Sequence, residues 1–396
     1  MATFLDLPGV RISEVRLGAP PIAGVGTSTA AFVGKAPQAN ATIGKEPHLV
    51  TSVDQFFSEF IRDKADPDDE TKGAKKSTAL ADAVIGFFQN GGTRCYVVDM
   101  ASELPADVKT GIEKLAKIDD VNIIAAPGIA DKDVYDALEK QATDILNRFA
   151  ILDPPAAPVT TITDFNKTVI DTPTPGVRPV DSKFAAFYYP RIAVANVLKD
   201  DKDAKTQRFA APSGHIAGLY AKTDGERGVH KAPANAALSG ALGVEHKITD
   251  SEQDTLNPLG INIIRLFAEG PIVWGARTLD RVDTNFRYVS VRRLAGFIED
   301  SLRRGLRFAV FEPNNLALRQ TITRSVRGFL DGVWRDGALF GATADEAYYV
   351  RFPDPFNTDT DRALGKLTLE VGLRVAPPAE FIIIRIGLLD RAANAA

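Results

Sequence analysis

Short apolar runs alternate with amphipathic segments along the first part of the chain. Residues 79–89 and 131–147 repeat apolar positions every three or four residues, which predicts two helices. Asn90-Gly91-Gly92 follows the first of them, where glycine commonly ends a helix. Strands that alternate with helices predict a mixed α/β (α+β) fold. The apolar runs that fit buried strands are 30–33, 94–98, 122–126, 149–152 and 185–189.

The last third of the chain has strands and helices in a different order. Residues 261–267 and 273–277 are strand-like and flank the turn Glu269-Gly270-Pro271. Apolar residues spaced by three or four predict helices at 291–306 and 316–335, with a strand at 307–311 between them. The second helix carries a mostly positive stripe on its polar face, formed by Arg319, Arg327 and Arg335 together with Asp331.

Both ends of the chain contain apolar segments of strand character. Residues 367–375 alternate strictly between apolar and polar positions, which predicts a half-buried strand. After Pro377-Pro378, the run 381–388 would aggregate if it stayed unpaired. At the other end, residues 10–15 suggest a short extended arm before a hinge rich in proline and glycine. The pattern alone leaves open whether these strands pair with a neighbouring subunit or fold back onto their own chain.

Composition excludes several classes of protein. The 396 residues are 45% hydrophobic and 25% charged with a net charge of -4, which is typical of a globular protein of two or three domains. Strong nucleic-acid or membrane electrostatics are not expected, and we find no signal peptide and no apolar run of membrane-spanning length. The single cysteine, Cys95, rules out an intramolecular disulfide or a multi-cysteine metal site and suggests a reducing compartment.

The distribution of charge suggests a domain boundary near residue 256. From residue 257 onward, 18 of the 19 basic residues are arginine, whereas lysine dominates the part before it. Because the planar guanidinium suits fixed ion pairs at interfaces, we interpret the C-terminal part as built for contacts.

No motif for catalysis or cofactor binding emerges. Gly34-Lys35 lacks the first glycine and the hydroxyl residue of a phosphate-binding loop. Ser213 and His215 are close in sequence, but no nucleophile elbow surrounds the serine. The histidines His215, His230 and His246 lack the spacing of metal ligands. We therefore expect no enzyme activity, no cofactor and no metal, although an α/β enzyme without a recognisable motif stays the formal alternative.

Several ordered strings resemble the sheath protein of contractile phage tails and related contractile injection systems. PGVRISEV and PIAGVGTSTAAFVG near the start, GFFQNGGTRCYVV, and the central PSGHIAGLYAKTDGERGVHKAPAN are typical of this family. NPLGINIIR, VWGARTL, YVSVRRL, VFEPNN and WRDGALFGATADEAYYVRF follow in family order, and PAEFIIIRIGL is similar to its terminal strand. The loop PDPFNTDTD departs from the family pattern, so its detail is not carried over.

The resemblance implies a domain plan and a function. Residues 1–26 would be an N-terminal arm, 27–256 an outer α/β domain, 257–376 an inner domain near a tube, and 377–396 a C-terminal arm. The protein would polymerise as a six-start helical sheath around an inner tube and contract from a metastable extended state. Its partners would be itself, the tube protein, and baseplate and terminator proteins, with no nucleic acid and no membrane insertion. Assembly would occur in the cytoplasm. Another structural component of the particle is the second alternative.

The resemblance also favours strand exchange between subunits and implies roles for individual residues. We expect the positive stripe Arg319, Arg327 and Arg335 to contact the tube or an adjacent subunit. The arms would add strands to a receiving strand whose inward residues are Leu367, Leu369, Val371, Leu373 and Val375. The N-terminal exchanged residues would be Val10, Arg11, Ile12, Ser13, Glu14 and Val15. The C-terminal ones would be Phe381, Ile382, Ile383, Ile384, Arg385 and Ile386.

Overall fold

A computed structural model describes residues 21–38, 43–62, 76–100, 102–156, 181–196 and 207–381. The chain divides into two compact units. The larger comprises Val25–Asp300 and the residues after Arg374, and the smaller comprises Ser301–Arg374 and residues 21–24. This division does not coincide with residue 256, since the strands that follow 256 complete the sheet of the larger unit. The assignment of outer and inner domains stays a prediction.

The larger unit is organised around a nine-stranded sheet of order β2-β3-β1-β4-β5-β6-β11-β12-β9, beside a three-stranded sheet of order β10-β7-β8. Six neighbouring strands, from β3 to β11, run parallel. β2 pairs antiparallel with β3 and β12 with β11, and β9 pairs antiparallel with β12 at the far edge. The strands are β1 Ala30–Gly34, β2 His48–Val50, β3 Cys95–Asp99, β4 Ile123–Ala125, β5 Phe149–Leu152, β6 Ala185–Tyr189, β7 Ile192–Ala195, β8 Gln207–Ala210, β9 Ala236–Ala237, β10 Ala241–Val244, β11 Ile261–Phe267 and β12 Gly270–Val273.

Helices cover both faces of the large sheet, as a buried parallel sheet requires. α1, α2 and α5 contribute to the core on one face, and α3 and α4 to the core on the other. The helices are α1 Val53–Phe60, α2 Ala79–Gln89, α3 Pro105–Lys114, α4 Lys132–Asp144, α5 Ser213–Arg227, α6 Asp250–Leu256 and α7 Val289–Gly305. The division between the two units falls within α7.

The smaller unit contains α8 Leu316–Arg335, α9 Ala344–Ala347 and α10 Asp359–Ala363. Its two strands, β13 Tyr348–Arg351 and β14 Glu370–Leu373, pair in antiparallel register with Tyr348 opposite Leu373. Helix α8 buries Ile322, Val326 and Leu330, which confirms the predicted helix and its apolar face. Among the described residues, no helix is both long and apolar enough to cross a bilayer.

Two predicted strands are wrong. At 273–277 the strand has ended, because the hairpin turns at Ala268-Glu269 and its second strand occupies Gly270–Val273 instead. At 307–311 the chain forms a short 3₁₀ turn, Arg307–Ala309, in place of a strand. Phe311 then adopts a φ of 69° and is fully exposed, as Val310 largely is, so the end of this apolar run points into solvent. Phe308 and Ala309 are partly buried, and residues 307–311 join no strand among the described residues.

Helices α2 and α5 pack at backbone contact through glycine. A Cβ atom at Gly214 would lie 2.2 Å from Cα of Ala83, and one at Gly218 would lie 2.3 Å from the carbonyl oxygen of Phe87. No real Cβ fits at such distances, so α5 can approach α2 only because these positions carry no side chain. Gly225 lies on the same helix but has open space around it.

We expect Gly218→Ala and Gly225→Ala to change stability in opposite directions. Gly218→Ala should destabilise the chain by about 1 to 3 kcal/mol, because overpacking outweighs the gain in helix propensity. Gly225→Ala should stabilise it by up to about 1 kcal/mol, because only the propensity gain remains. Urea unfolding of both variants measures the difference, and a stabilised Gly218→Ala variant would contradict this account of the helix contact.

Candidate assembly sites

The two-stranded sheet β13–β14 is a candidate site for adding strands. Within the described ranges these two strands have only each other as strand partners, so neither outer edge is paired with a further strand. Gly372 lies opposite Tyr349, and a Cβ there would come within 2.0 Å of the Tyr349 ring. The ring therefore lies flat across the neighbouring strand. Glu370 accepts hydrogen bonds from the Tyr349 hydroxyl and from Arg351, both at 2.6 Å.

The strand predicted at 367–375 as a receiving strand is shorter in the structure, at Glu370–Leu373. Of the five predicted inward residues, β14 includes Val371 and Leu373, and Leu367 and Leu369 precede it. The side chain of Asn357 explains the difference, because it donates to the carbonyl of Thr368 and accepts from its N–H. These two bonds take the backbone groups that a longer strand would offer. Beyond β14, Arg374 still hydrogen-bonds through its N–H to Ala347 and through its carbonyl to Phe340.

Residues 22–27, which follow the predicted exchange segment of the N-terminal arm, are held by contacts with the folded chain. Residues 10–15 lie outside the described residues, but Ile22 is buried, and a Cβ atom at Gly305 would lie 2.6 Å from its Cγ2. The Ile22 side chain can therefore pack at the end of α7 only because Gly305 has no side chain. Further along, the Gly26 carbonyl accepts from Asn147 Nδ2 at 3.0 Å, and the Thr27 carbonyl accepts from Arg293 Nη2 at 2.9 Å.

Arg293 belongs to a buried ion pair that joins α7 to α5. Its guanidinium donates to both carboxylate oxygens of Asp224, at 2.9 and 2.6 Å, and lies over the ring of Tyr220. Both charged side chains are almost fully buried. Burial lowers the pKa of Arg293, but the facing Asp224 carboxylate more than offsets this, so the guanidinium stays charged. The hydrogen bond to the Thr27 carbonyl therefore comes from a guanidinium that is buried and held in place by Asp224.

A second fixed point lies where the predicted C-terminal arm begins. The Glu380 carboxylate accepts from Arg277 Nε at 2.9 Å and Nη2 at 2.7 Å, from Asn257 Nδ2 at 2.9 Å and from the Tyr288 hydroxyl at 2.7 Å. We call these four residues the Glu380 clamp. Burial raises the pKa of Glu380, but the hydrogen bonds from the other three residues outweigh it and keep the pKa below its usual value.

A groove of about 630 Å³ lies beside the Glu380 clamp. Trp274 and Ala276 contribute to its lining, and Asp250 of α6 contributes an exposed carboxylate. Phe381, at the rim, is 70% exposed. It is the one residue of the predicted C-terminal exchange segment that is described, since 382–386 lie outside the described residues.

The predicted positive stripe on α8 is divided in the structure. Arg327 and Arg335 are exposed, whereas Arg319 is partly buried with its guanidinium 5.7 Å from the centre of the Phe352 ring. Sequence reasoning missed Arg324, which is also exposed. It also missed a pair of glycines on α8, Gly328 and Gly332, which have open space where a Cβ would project. Their spacing of four residues was the available signal.

Ser213, His215 and Cys95, which the sequence singled out for chemistry, are all buried. Ser213 at the start of α5 donates its hydroxyl hydrogen to Asp153 at 2.5 Å, and its backbone N–H also binds that carboxylate. His215 packs against Gly86, where burial lowers the pKa of the imidazole to about 4. Burial also raises the pKa of Cys95. Across the described ranges, no cluster of three or more potential metal ligands occurs.

Comparison with known proteins identifies two family models along the chain. The model of the phage tail sheath protein central domain matches residues 105–279. The model of the phage tail sheath C-terminal domain matches residues 281–388. Together the two models cover well over half of the chain, and they confirm the resemblance indicated by the sequence motifs.

Individual relatives agree with the family models. The PVC sheath complex of an extracellular contractile injection system, in its contracted state, is 29% identical, with a TM-score of 0.75 over 98% of each chain. A chain in the six-fold symmetrised baseplate of the anti-feeding prophage is 29% identical, with a TM-score of 0.74 over 97% of this chain and 99% of that one. The tail sheath protein of Burkholderia phage BcepMu is 29% identical over 48% of this chain and 40% of its own length. The match thus spans less than half of that curated relative.

We expect the buried and exposed ion pairs of the larger unit to respond differently to loss of the carboxylate. Asp224→Asn should destabilise the chain by about 3 to 5 kcal/mol, because it leaves Arg293 buried without a counter-charge. Asp120→Asn removes the exposed partner of Arg94, at 3.0 Å, and should cost less than about 1 kcal/mol. Thermal and urea unfolding of both variants measure the difference. Equal losses of unfolding free energy in the two variants would show that the buried pair contributes no more to stability than the exposed one.

Proposed function

Because the chain belongs to the phage tail sheath protein family, we propose that it polymerises as a six-start helical sheath around an inner tube and drives that tube forward by contracting. The likeness to a sheath complex in its contracted state, over nearly the whole chain, is the observation that carries this proposal. The sheath would assemble in the cytoplasm in a metastable extended state. Formation of new contacts between subunits would release the energy for contraction, with no catalysis by this chain.

The contacts between subunits would be made by exchanged strands. The N-terminal arm, at residues 10–15, and the C-terminal arm, at residues 381–386, would add to the open edges of β13–β14. A backbone ladder supplies affinity that depends little on side-chain identity. Because both arms leave from fixed points at Ile22 and Glu380, tension on an arm would be transmitted to folded parts of the subunit.

The sheath would also contact a tube, a baseplate and a terminator. Occurrence of a similar chain in the anti-feeding prophage baseplate supports the baseplate contact. For the tube we propose the exposed face of α8, where Arg324, Arg327 and Arg335 surround two glycines. Each glycine costs about 1 kcal/mol of helix stability relative to alanine, and no described side chain of this subunit fills the space they leave. A closely packed acidic segment of the tube would fit this face.

We expect single charges in the arms to abolish sheath formation. Ile12→Asp and Ile383→Asp would each put a carboxylate into an exchanged strand, where it would be desolvated without a partner. Negative-stain electron microscopy and pelleting of the chain co-expressed with its tube protein measure the result. Hollow, ridged tubes from the unaltered chain and none from either variant would support strand exchange.

Val282→Asp serves as the matched control, because Val282 is an exposed apolar residue of the larger unit outside the arms. It should assemble normally. Tubes of normal length from both arm variants would refute exchange, and failure of the unaltered chain to form tubes with its tube protein would refute the sheath function itself.

We expect charge reversal on α8 to weaken assembly on the tube specifically. Arg327→Glu with Arg335→Glu should reduce the fraction of tube that is covered by sheath and abolish its dependence on salt, because exposed charge pairs are screened by ions. Arg362→Glu on α10 is the matched control, since Arg362 is equally half-exposed and also lies near a carboxylate. Pelleting of tube with sheath at increasing salt measures the effect, and equal losses in both proteins would place the contact elsewhere.

A further inference from the structure

We infer that the Glu380 clamp is a positioning device that fixes the point at which the C-terminal arm leaves the subunit, and that sheath assembly depends on this fixed point. The inference rests on the proposed strand exchange and adds the residues that hold the arm in place. Three features of the described residues carry it: how the carboxylate is held, how the chain approaches it, and how exposed the next residue, Phe381, is.

The carboxylate is held more completely than a surface ion pair. Arg277 binds both oxygens of Glu380 in a fork, and Asn257 and Tyr288 each add one hydrogen bond from other parts of the unit. Arg277 is itself fixed, since its Nη1 donates to the carbonyl of Asn257 at 3.0 Å and its N–H to Asn262 Oδ1 at 2.6 Å. Bidentate pairing with a pre-positioned guanidinium defines direction as well as distance.

The chain reaches Glu380 along a stiff path. Val375 is the last residue before it that takes part in a β-bridge, and residues 376–379 form neither helix nor strand. Pro377 and Pro378 restrict the backbone of this path to extended conformations. Directly after Glu380, Phe381 is largely exposed at the rim of the groove. Glu380 is therefore the last described residue with a specific side-chain partner before the exchange segment.

Loss of the hydrogen bonds to Glu380 would lengthen the part of the C-terminal arm that is not attached to the subunit. Residues 376–380 would no longer be fixed, and five residues at about 3.4 Å each add about 17 Å of possible reach. A longer tether lowers the effective concentration of its end at the correct acceptor, by roughly two- to threefold when the tether doubles in length. The loss of direction would also let an arm pair with the wrong neighbour. Every subunit of a helical sheath would carry this defect.

The test compares Glu380→Gln with Asp250→Asn in the full-length chain, each with and without a single spin label at Phe381→Cys. The introduced thiol can be labelled selectively, because Cys95 is fully buried. Asp250→Asn is the matched control, since Asp250 also pairs with an arginine in the same groove, Arg265, but its side chain is 86% exposed and it is not one of the four residues of the Glu380 clamp. Circular dichroism establishes that each variant is folded, and pelleting gives the critical concentration for assembly with the tube protein.

We expect Glu380→Gln to sharpen the spin-label spectrum of the unassembled subunit, to raise the critical concentration at least about twofold and to give irregular sheaths. Asp250→Asn should change none of these. Arg277→Lys, which keeps the charge but loses the fork, should reproduce the effect of Glu380→Gln if the first variant folds poorly. Unchanged mobility at position 381, or normal assembly despite increased mobility, would overturn the inference.

These outcomes separate failure of the clamp from failure of the proposed function. If strand exchange is wrong, Ile383→Asp assembles normally, while the spin label still reports whether Glu380 fixes the root of the arm. If only the clamp is wrong, Ile383→Asp abolishes assembly and Glu380→Gln does not.

Discussion

A two-stranded antiparallel ladder is too small to be stable by itself in water, and this constraint governs the smaller unit. β13 and β14 bond to each other, gain some support from α8 through the hydrogen bond of Tyr348 to Asp331 at 2.5 Å, and leave their outer edges open. Most proteins protect such an edge with charge, proline or a covering helix. Here the chain itself provides apolar segments of strand character near both ends, so the protection of one molecule would come from others.

Under the proposed strand exchange, the fixed roots of both arms would allow a shared strand to transmit force between subunits. Ile22 packs against Gly305, Thr27 is held by the buried Arg293–Asp224 pair, and Glu380 is held by hydrogen bonds from Arg277, Asn257 and Tyr288. A strand that pairs with a neighbouring subunit can transmit force only if the point where it joins its own subunit does not yield under that force. Hydrogen bonds from buried, charged donors are strong and directional, so they suit attachment better than apolar contact, which has no preferred direction.

Most of the local structure was predictable because its signals are local. The bounds of 79–89, 149–152, 185–189, 261–267 and 316–335 agree with the structure. The two helices have apolar positions every three or four residues, whereas the strands at 149–152 and 185–189 are short apolar runs that are fully buried. The strand predicted at 307–311 was wrong, because an unbroken apolar run carries no period that tells a strand from a turn. The strand predicted at 367–375 was too long, because Asn357, eleven residues before Thr368, binds the backbone of Thr368. The Glu380 clamp joins residues up to 123 positions apart, so no local pattern could reveal it. The family resemblance, by contrast, was carried by ordered motifs.

The glycine contact between α2 and α5 restricts how such a chain can evolve. Gly214 and Gly218 face backbone atoms that leave no room for a Cβ, so a substitution there requires α5 to move away from α2, whereas Gly86 faces the ring of His215. This glycine contact therefore limits change within the helix pair more than in the loops, which tolerate insertions.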